Sequence, residues 1–306
     1  MVINLPRTNL TEPDLRSESV TIVIPTLNEA ESIGSVIDEL KECGFSNILV
    51  VDGHSTDRTV EIAREKGVSV VLQHGSGKRD ALETAFEIVK TPYLVVMDGD
   101  MSYDAHDIKL LMDHREGYDQ VVGARRMTSG NMTWLHRIGN RIITRAFNIF
   151  FATKLRDVCS GMYLIRTEKA RTLQFSAGKL TVEEEILAQN SVEGNVTDVP
   201  INYRPRLGGK SQVSTWRQGF ADVVTLFDLA RKYNAVMLFS TISALAIIPA
   251  TLILLWVLYE AIFHQSLHQG YALLGVMLLL VAGQGFTVTT LYLQLRRLER
   301  RLSKRT

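Results

Sequence analysis

The tripeptide Asp98-Gly99-Asp100 is the part of the sequence with the clearest chemical potential. It closes a short apolar run, YLVVMD at 93–98, which is typical of a buried strand. Two carboxylates one residue apart can hold a hard divalent cation that also binds phosphate oxygens. Gly99 leaves room for a ligand near the backbone. An Asp-x-Asp turn is common by itself, so its neighbours must decide its role.

A glycine-rich turn, GSGKR at 75–79, precedes a predicted helix over residues 78–90. Basic residues such as Lys78 at a helix N-terminus favour an anion, for example a diphosphate. The spacing differs from the GxxxxGK[ST] pattern of a P-loop. The alternative is a surface turn with solvated basic side chains.

A basic stripe is predicted on the helix LHRIGNRIITRAFNIFF. Arg137, Arg141 and Arg145 are four residues apart, and the segment has no acidic residue. Arginine binds phosphate through two parallel hydrogen bonds. We therefore expect this stripe to contact an anion or a lipid head group, with a solvated helix face as the alternative.

The elements that must position these residues alternate between strand and helix. The predicted strands cover residues 20–25, 47–52, 68–73 and 93–98, and the predicted helices cover 29–43, 57–66 and 78–90. This alternation predicts an α/β fold with a mostly parallel, Rossmann-like sheet. Ligands bind beyond the carboxyl ends of such strands. The polar residues at those ends are Thr26, Asn28 and Glu29, then Asp52, Ser55 and Asp57, and finally Asp98 and Asp100.

Composition narrows the class of protein. The 306 residues carry a formal net charge of +1, which argues against nucleic-acid binding because such proteins usually carry a basic excess. The two cysteines do not suggest a disulfide scaffold. Residues 1–18 lack the apolar core of a signal peptide and are predicted to form a flexible arm.

Two C-terminal stretches, 235–259 and 271–295, contain no charged side chain. About 20 apolar residues suffice to cross a membrane as a helix, so both are predicted transmembrane helices. The connecting loop has no Lys or Arg, whereas the tail at 296–306 has six. The positive-inside rule therefore predicts a multi-pass protein of the cell membrane, or of an ER-equivalent membrane, with both termini and the catalytic domain in the cytoplasm.

Residues 215–234 precede the first span and place Trp216, Phe220 and Phe227 at helical spacing. This pattern predicts an amphipathic helix in the interface plane. An ordinary helix packed on the soluble domain is the alternative. The soluble domain itself is predicted to cover residues 19–214.

Taken together, the motifs resemble family-2 glycosyltransferases with the GT-A fold. The resemblance is strongest to the polyprenyl-phosphate sugar transferases, typified by dolichol-phosphate mannose synthase. It covers about residues 20–215. The matching motifs, in chain order, are VTIVIPTLNEAESI, NILVVDGHSTDRT, GSGKRDAL, YLVVMDGDMSYDAHDI, VVGARR, DVCSGMYLI, VEEEIL and DVPINYRPRLGGKSQVS.

The resemblance implies a role for each matching residue. The nucleotide-sugar would be bound by Pro25, Thr26, Asn28, Glu29, Asp52, Ser55, Lys78, Asp98, Gly99 and Glu185. Mg²⁺ or Mn²⁺ would be held by Asp98 and Asp100, which would act in catalysis together with Arg125 and Arg206. The acceptor phosphate would be bound by Arg125, Arg137, Arg141, Ser160, Lys210 and Ser211. Glu183 matches a position near the sugar.

The implied reaction is inverting transfer of a hexose from a UDP- or GDP-sugar to polyprenyl phosphate. The implied assembly is a homo-oligomer such as a tetramer, and Gly283 and Gly285 would allow close helix contact. Gly53-His54 stands where relatives carry a second acidic residue, and Ser102 stands where some carry glutamine. Two alternatives stay open: a membrane glycosyltransferase with another lipid or glycan acceptor, and a non-catalytic membrane scaffold. A polysaccharide synthase is disfavoured because the chain lacks Gln-x-x-Arg-Trp.

Overall fold

The computed structural model describes residues 18–126, 132, 134–175, 182–205 and 227–303. The N-terminal arm, the predicted site residues Arg206, Lys210 and Ser211, and most of the predicted interfacial helix at 215–234 lie outside these residues. The chain packs into two compact units. The first comprises residues 1–145 and 153–223, and the second comprises residues 146–152 and 224–306.

The first unit contains a seven-stranded sheet in the order β3-β2-β1-β4-β6-β5-β7 within the described residues. The strands are β1 (Val20–Thr26), β2 (Ile48–Asp52), β3 (Ser69–Leu72), β4 (Tyr93–Val96), β5 (Gln120–Arg125), β6 (Tyr163–Arg166) and β7 (Val196–Ile201). β1 to β4 are mutually parallel where they pair, as predicted from the alternation of strands and helices.

Helices connect the strands. They are α1 (Ile33–Glu42), α2 (Thr59–Glu65), α3 (Lys78–Ile88), α4 (Ile108–Asp113), α5 (Trp134–Phe151), α6 (Thr167–Thr172) and α7 (Val182–Glu193). A short 3₁₀ turn, Ala105–Asp107, precedes α4. The predicted helices at 29–43, 57–66 and 78–90 are confirmed, each with ends trimmed by a few residues.

Both faces of the sheet are covered by an apolar core. Successive side chains of a strand point to opposite faces, so one strand contributes to both cores. Ile22 and Ile24 of β1 pack into a core with Ile33 and Ile37 of α1. Val23 of β1 packs on the other face, in a second core with side chains of α3 and α7. Two apolar cores, one on each face, hold the strand ends in fixed positions.

The sheet departs from the parallel pattern at one strand. β6 runs antiparallel to both β4 and β5, whereas β5 and β7 are parallel. The chain therefore enters β6 at the edge where β4 ends. Gly161 lies just before β6, and a Cβ built on it would lie 2.5 Å from Asp98 Oδ2. This reversal brings the loop before β6 to the predicted metal ligands.

The second unit contains two long helices, α8 (Ala235–Phe263) and α9 (Gln269–Ser303). Ala235–Phe263 and Gln269–Tyr292 are long and apolar enough to cross a membrane, with mean hydropathies of 2.3 and 1.9. Only 22% and 17% of their most apolar stretches are buried, whereas a core helix of a soluble protein would be mostly buried. They are candidate membrane spans, in agreement with the sequence analysis.

The contact between α8 and α9 depends on small residues. Gly285 faces α8, and a side chain there would collide with Ser243 Oγ and approach Phe239 O to 3.3 Å. Gly283, two residues earlier, has no such neighbour within 4 Å. Of the two glycines singled out in the sequence, Gly285 is therefore the one that permits close packing within this helix pair.

We expect Gly285→Val to destabilise the α8–α9 pair by about 1–3 kcal/mol, the usual cost of overpacking. Gly283→Val is the matched control, because it introduces the same side chain into the same helix without a clash. In thermal denaturation of both variants in detergent, we expect a lower melting temperature than wild type for Gly285→Val and an unchanged one for Gly283→Val. Equal melting temperatures would contradict the packing described here.

Candidate active site at the carboxyl edge of the sheet

The carboxyl ends of β1, β2 and β4 lie side by side, because these strands are parallel and adjacent. The three loops that leave them each contain one non-glycine residue with a left-handed backbone. These residues are Asn28 (φ 57°), His54 (φ 65°) and Met101 (φ 63°). Such conformations cost free energy and cluster at functional sites. The backbone itself therefore marks this edge as the candidate site.

Asp52 anchors the loop after β2. Its carboxylate accepts hydrogen bonds from the Ser55 N–H (2.8 Å), the Ser55 hydroxyl (2.6 Å) and the Thr26 hydroxyl (3.3 Å). Its side chain is fully buried, and a buried carboxylate needs such partners. Thr26, Asp52 and Ser55 thus form one cluster, as the sequence predicted, while their contact with a nucleotide stays a prediction.

The loops after β1 and β2 are joined by hydrogen bonds from backbone to side chain. Asn28 Oδ1 accepts from the Thr56 N–H (2.8 Å), and Asp57 Oδ2 accepts from the Ala30 N–H (3.1 Å). Burial tends to raise the pKa of Asp57, but hydrogen bonds from Thr59 and Ala30 outweigh it and lower that pKa. Asp57 therefore stays ionised and keeps the two loops together.

Pro25 and Glu29 were also predicted to bind the nucleotide. Pro25 is level with Val51 of the neighbouring strand. The backbone N–H of Glu29 donates to Thr59 Oγ1 (2.9 Å), and its carboxylate accepts from Ser32 Oγ (3.2 Å). Both residues lie at the same edge as Asp52, and their predicted role is untested.

Asp98 and Asp100 follow β4 at the centre of this edge. Asp100 is 8% exposed, and its Oδ1 accepts from the Ser102 N–H (3.0 Å) and the Ser102 hydroxyl (2.5 Å). The Asp98 side chain is 33% exposed. Ser102, which replaces the glutamine of some relatives, therefore holds a predicted metal ligand in place.

Gly99 is closely surrounded by protein. Its carbonyl oxygen accepts a hydrogen bond from Ser32 Oγ (2.7 Å). A Cβ on Gly99 would lie 3.2 Å from Ile24 Cγ2 and 3.3 Å from Thr26 Cγ2. Gly99 thus permits the loop after β4 to pack closely on β1, a role different from the room for a ligand that was predicted.

The donor atoms at Asp98 and Asp100 suit Mg²⁺ or Mn²⁺, because carboxylate oxygens are hard ligands and both come from one short turn. A second acidic group, Glu39 with Asp104 and His106, has ligand atoms within 4.8 Å of one another. The guanidinium of Arg204 already pairs with Glu39 (2.8 Å) and Asp104 (2.7 Å). Arg204 partly neutralises that cluster, as Lys78 does Asp98, so the preference for Asp98 and Asp100 rests on their place at the centre of the carboxyl edge.

Lys78 stands between two carboxylates. Its Nζ lies 2.5 Å from Asp98 Oδ1 and 2.5 Å from Glu183 Oε1. Burial alone would lower the pKa of Lys78, but the charges of Asp98 and Glu183 outweigh it and raise that pKa well above its usual value. The lysine is therefore protonated at neutral pH, next to a predicted metal ligand.

Three consecutive glutamates begin α7, and they have different surroundings. Glu183 contacts Lys78, Glu184 accepts from Cys159 Sγ (3.2 Å), and Glu185 is fully buried. Burial and the neighbouring charge of Glu184 raise the pKa of Cys159, so this thiol stays protonated. Glu183, the first of the three, is the glutamate that shares the partner Lys78 with Asp98.

Arg125 ends β5 and is paired internally. Its Nε and Nη2 donate to the Asp157 carboxylate at 2.6 and 3.0 Å. Asn140 Nδ2 donates to Asp157 as well (3.0 Å), and the Arg125 guanidinium lies over the Tyr203 ring. Only 10% of the Arg125 side chain is exposed. The residue predicted to bind the acceptor phosphate is thus held in a fixed orientation.

The other predicted acceptor residues differ in exposure. Arg141 is exposed on α5. Arg137 is partly buried, and its Nε has no hydrogen-bond partner among the described residues. Ser160 is 1% exposed, and its hydroxyl accepts from the Met162 N–H (3.3 Å). Ser160 therefore shapes the loop before β6, while the arginines provide donors.

The segment that leads to Arg206 is tied to the loop of the metal ligands. Tyr203 forms an antiparallel bridge with Tyr103, and the Arg204 N–H donates to Ser102 O (2.7 Å). Arg206, Lys210 and Ser211 follow directly but lie outside the described residues. Tyr203 and Arg204 themselves lie next to the loop of Asp100.

Sequence reasoning missed several residues that build this site. Asp157 and Asn140 hold Arg125, and Tyr103 Oη accepts from the Gly161 N–H (2.7 Å). Asp157 is the first residue of the motif DVCSGMYLI. An acidic residue in a motif near arginine-rich segments could have been identified as a candidate partner for an arginine. The sequence could not show that this arginine is Arg125, because the two residues are far apart in the chain.

Known proteins resemble this chain in sequence and in fold. The model of glycosyl transferase family 2 matches residues 21–173. Glycosyltransferase AglJ of Haloferax volcanii is 35% identical over 265 residues, covering 85% of this chain and 88% of that protein. The dolichyl-phosphate hexose transferase of the same organism is 32% identical over 197 residues, covering 62% of this chain and 85% of that protein.

Among solved structures, glucosyl-3-phosphoglycerate synthase from Mycobacterium tuberculosis, in complex with Mn²⁺, UDP and glucosyl-3-phosphoglycerate, has a TM-score of 0.54 at 20% identity. The match covers 73% of this chain and 86% of that one. At this identity the likeness supports the GT-A fold alone. The family match, the two relatives and the order of the motifs show that the chain belongs to glycosyl transferase family 2, with relatives consistent with its polyprenyl-phosphate branch.

Proposed function

We propose that this protein transfers a hexose from a UDP- or GDP-linked sugar to polyprenyl phosphate, with inversion at the anomeric carbon. The observation that carries the proposal is the grouping of Asp98, Asp100 and Lys78 at the edge where β1, β2 and β4 end. These are the groups that a nucleoside diphosphate leaving group requires. Their place in a family-2 glycosyltransferase supports this reading.

The donor half of the site would be formed by the loops after β1, β2 and β4. A Mg²⁺ or Mn²⁺ ion held by Asp98 and Asp100 would neutralise negative charge on the departing diphosphate. Lys78, at the first turn of α3, adds a positive charge where the helix N-terminus already favours an anion. The cluster of Asp52, Ser55 and Thr26 fixes the loop against which the base and ribose would bind.

The acceptor half would be formed by Arg125 and the arginines of α5. A phosphate is already an anion at neutral pH, so the acceptor needs no strong general base. The protein must instead hold it in line with the anomeric carbon. The guanidinium of Arg125 has five N–H donors, and its pairing with Asp157 leaves others to orient a phosphate oxygen.

A lipid acceptor is favoured over a soluble one by the candidate spans. It is also favoured by α5, where Trp134 (61%), Ile138 (44%) and Ile142 (54%) are exposed beside Arg137 and Arg141. An apolar stripe next to arginines suits a membrane–water interface. The name of the dolichyl-phosphate hexose transferase relative points to the same acceptor class.

We further propose that both termini are cytoplasmic and that the protein forms a homo-oligomer.

The direct test is a donor screen with the purified full chain in detergent. UDP-glucose, GDP-mannose and other sugar nucleotides are each incubated with undecaprenyl or dolichyl phosphate and Mn²⁺, and the lipid product is identified by mass. We expect a polyprenyl-phosphate hexose with one donor. Transfer to another lipid, or no transfer with any donor although nucleotide binds, would refute the proposal.

Asp100→Asn tests the metal role without disturbing the local hydrogen bonds. The amide oxygen can still accept from Ser102, but the negative charge is lost. We expect kcat for transfer to fall by about 100-fold or more, since a positioned group that stabilises transition-state charge contributes about 10²–10³. The control is Asp38→Asn, a surface carboxylate paired with Lys66. Transfer at the wild-type rate by Asp100→Asn would exclude a metal role.

The acceptor role of α5 is tested by Arg137→Gln and Arg141→Gln. A hydrogen bond to a charged group contributes about 1.5–3 kcal/mol, so each variant should raise KM for polyprenyl phosphate by about tenfold or more. KM for the sugar nucleotide should stay unchanged. Arg64→Gln, an exposed arginine of α2, is the matched control. An effect on the donor KM instead would reassign these arginines to the donor half.

A further inference from the structure

Lys78 contacts the Asp98 carboxylate at the position where a metal ion is predicted to bind. Lys78 Nζ lies 2.5 Å from Asp98 Oδ1, the carboxylate that would also hold the metal ion. A divalent cation on Asp98 would then face an ammonium group bound to the same carboxylate. Like charges at such distances repel strongly, above all where the surroundings are partly buried. Lys78 and a metal ion therefore compete for Asp98.

Glu183 gives Lys78 a second partner. Its Oε1 lies 2.5 Å from Lys78 Nζ, and its side chain is only 13% exposed. The ammonium group has three N–H donors, so it can release Asp98 and keep Glu183. The released donor would be available to an oxygen of a diphosphate at the first turn of α3, where an anion is favoured.

Tyr163 lies close enough to this cluster to be affected by its charges. The residue is 1% exposed, and its hydroxyl has no hydrogen-bond partner among the described residues. Burial raises the pKa of Tyr163 well above its usual value, and the charges of Glu183 and Asp98 add to the effect against that of Lys78. The Tyr163 hydroxyl therefore stays neutral beside the charged cluster.

We propose that Lys78 is an internal counter-ion that occupies Asp98 while the site is empty and moves to the donor diphosphate when metal and nucleotide bind together. Glu183 retains Lys78 throughout and acts as a positioning residue. The inference rests on the proposed function, since it assumes a metal site at Asp98 and a diphosphate donor. It adds a reason for the two ligands to bind cooperatively.

The cooperativity follows from how often the Lys78–Asp98 ion pair must be broken. Metal alone must break the Lys78–Asp98 pair, and nucleotide alone must break it to engage Lys78. When both bind, the pair is broken once, so each ligand tightens the other reciprocally. Without Lys78, metal alone no longer pays this cost, while the metal affinity of the nucleotide-loaded protein is unchanged.

The test measures Mn²⁺ affinity of the full chain in detergent, from the electron paramagnetic resonance signal of free Mn²⁺, with and without saturating UDP or GDP. We expect Lys78→Met to tighten Mn²⁺ binding about tenfold without nucleotide and to leave it within about twofold of wild type with nucleotide, a coupling of ordinary size. Lys78→Gln should behave alike if Lys78→Met folds poorly.

Two controls separate the exchange from general electrostatics. Lys78→Arg keeps the cation and should keep the wild-type difference between the two conditions. Lys90→Met removes an exposed charge just beyond α3 and should change neither affinity. Equal tightening of Mn²⁺ with and without nucleotide in Lys78→Met, or no tightening at all, would overturn the exchange while leaving the proposed transferase activity intact. Failure of wild type to bind Mn²⁺ even with nucleotide would overturn both the exchange and the metal role.

Discussion

Negative charge is concentrated at one edge of the sheet, and the architecture of the site follows from the need to compensate it. Asp52 is satisfied by hydroxyl and backbone donors, Asp100 by Ser102, Asp98 by Lys78, and Asp157 by Arg125. A buried carboxylate that loses its partner is strongly destabilising. Ser55 and Ser102 come from the same loops as the carboxylates that they satisfy. Thr26, Lys78 and Arg125 come from other elements, so their contacts also fix the positions of those elements relative to the carboxylates.

The loops after β1, β2 and β4, to which we assign the donor, were predictable because their sequence signals are local. Apolar, β-branched runs at 20–25, 47–52 and 93–98 indicate buried parallel strands, and the polar residues after them must converge. The glycine-rich turn before α3 likewise pointed to Lys78. All of these depend on residues close together in the chain, where periodicity and turn chemistry carry the information.

The elements to which we assign the acceptor were harder to predict, because their contacts join residues that are distant in the sequence. Nothing in the sequence of β6 reveals that it runs antiparallel between β4 and β5, since strand direction is set by pairing across the sheet. The pairing of Arg125 with Asp157 and that of Lys78 with Glu183 depend on this topology. In the same way, Gly283 and Gly285 are equivalent in the sequence, and only the rotation of α9 against α8 distinguishes them.

The antiparallel strand has a consequence for how such an enzyme can evolve. The loops after β1, β2 and β4 would read the donor, whereas the long connection from β5 through α5 to β6 would read the acceptor. The two parts meet where β6 pairs with β4, where the Gly161 N–H donates to Tyr103 Oη (2.7 Å), and where Gly161 lies close to Asp98. If the proposed function holds, a change in this connection would alter the acceptor and leave the donor loops unchanged. Position 161 would be the exception, because a side chain there would collide with Asp98.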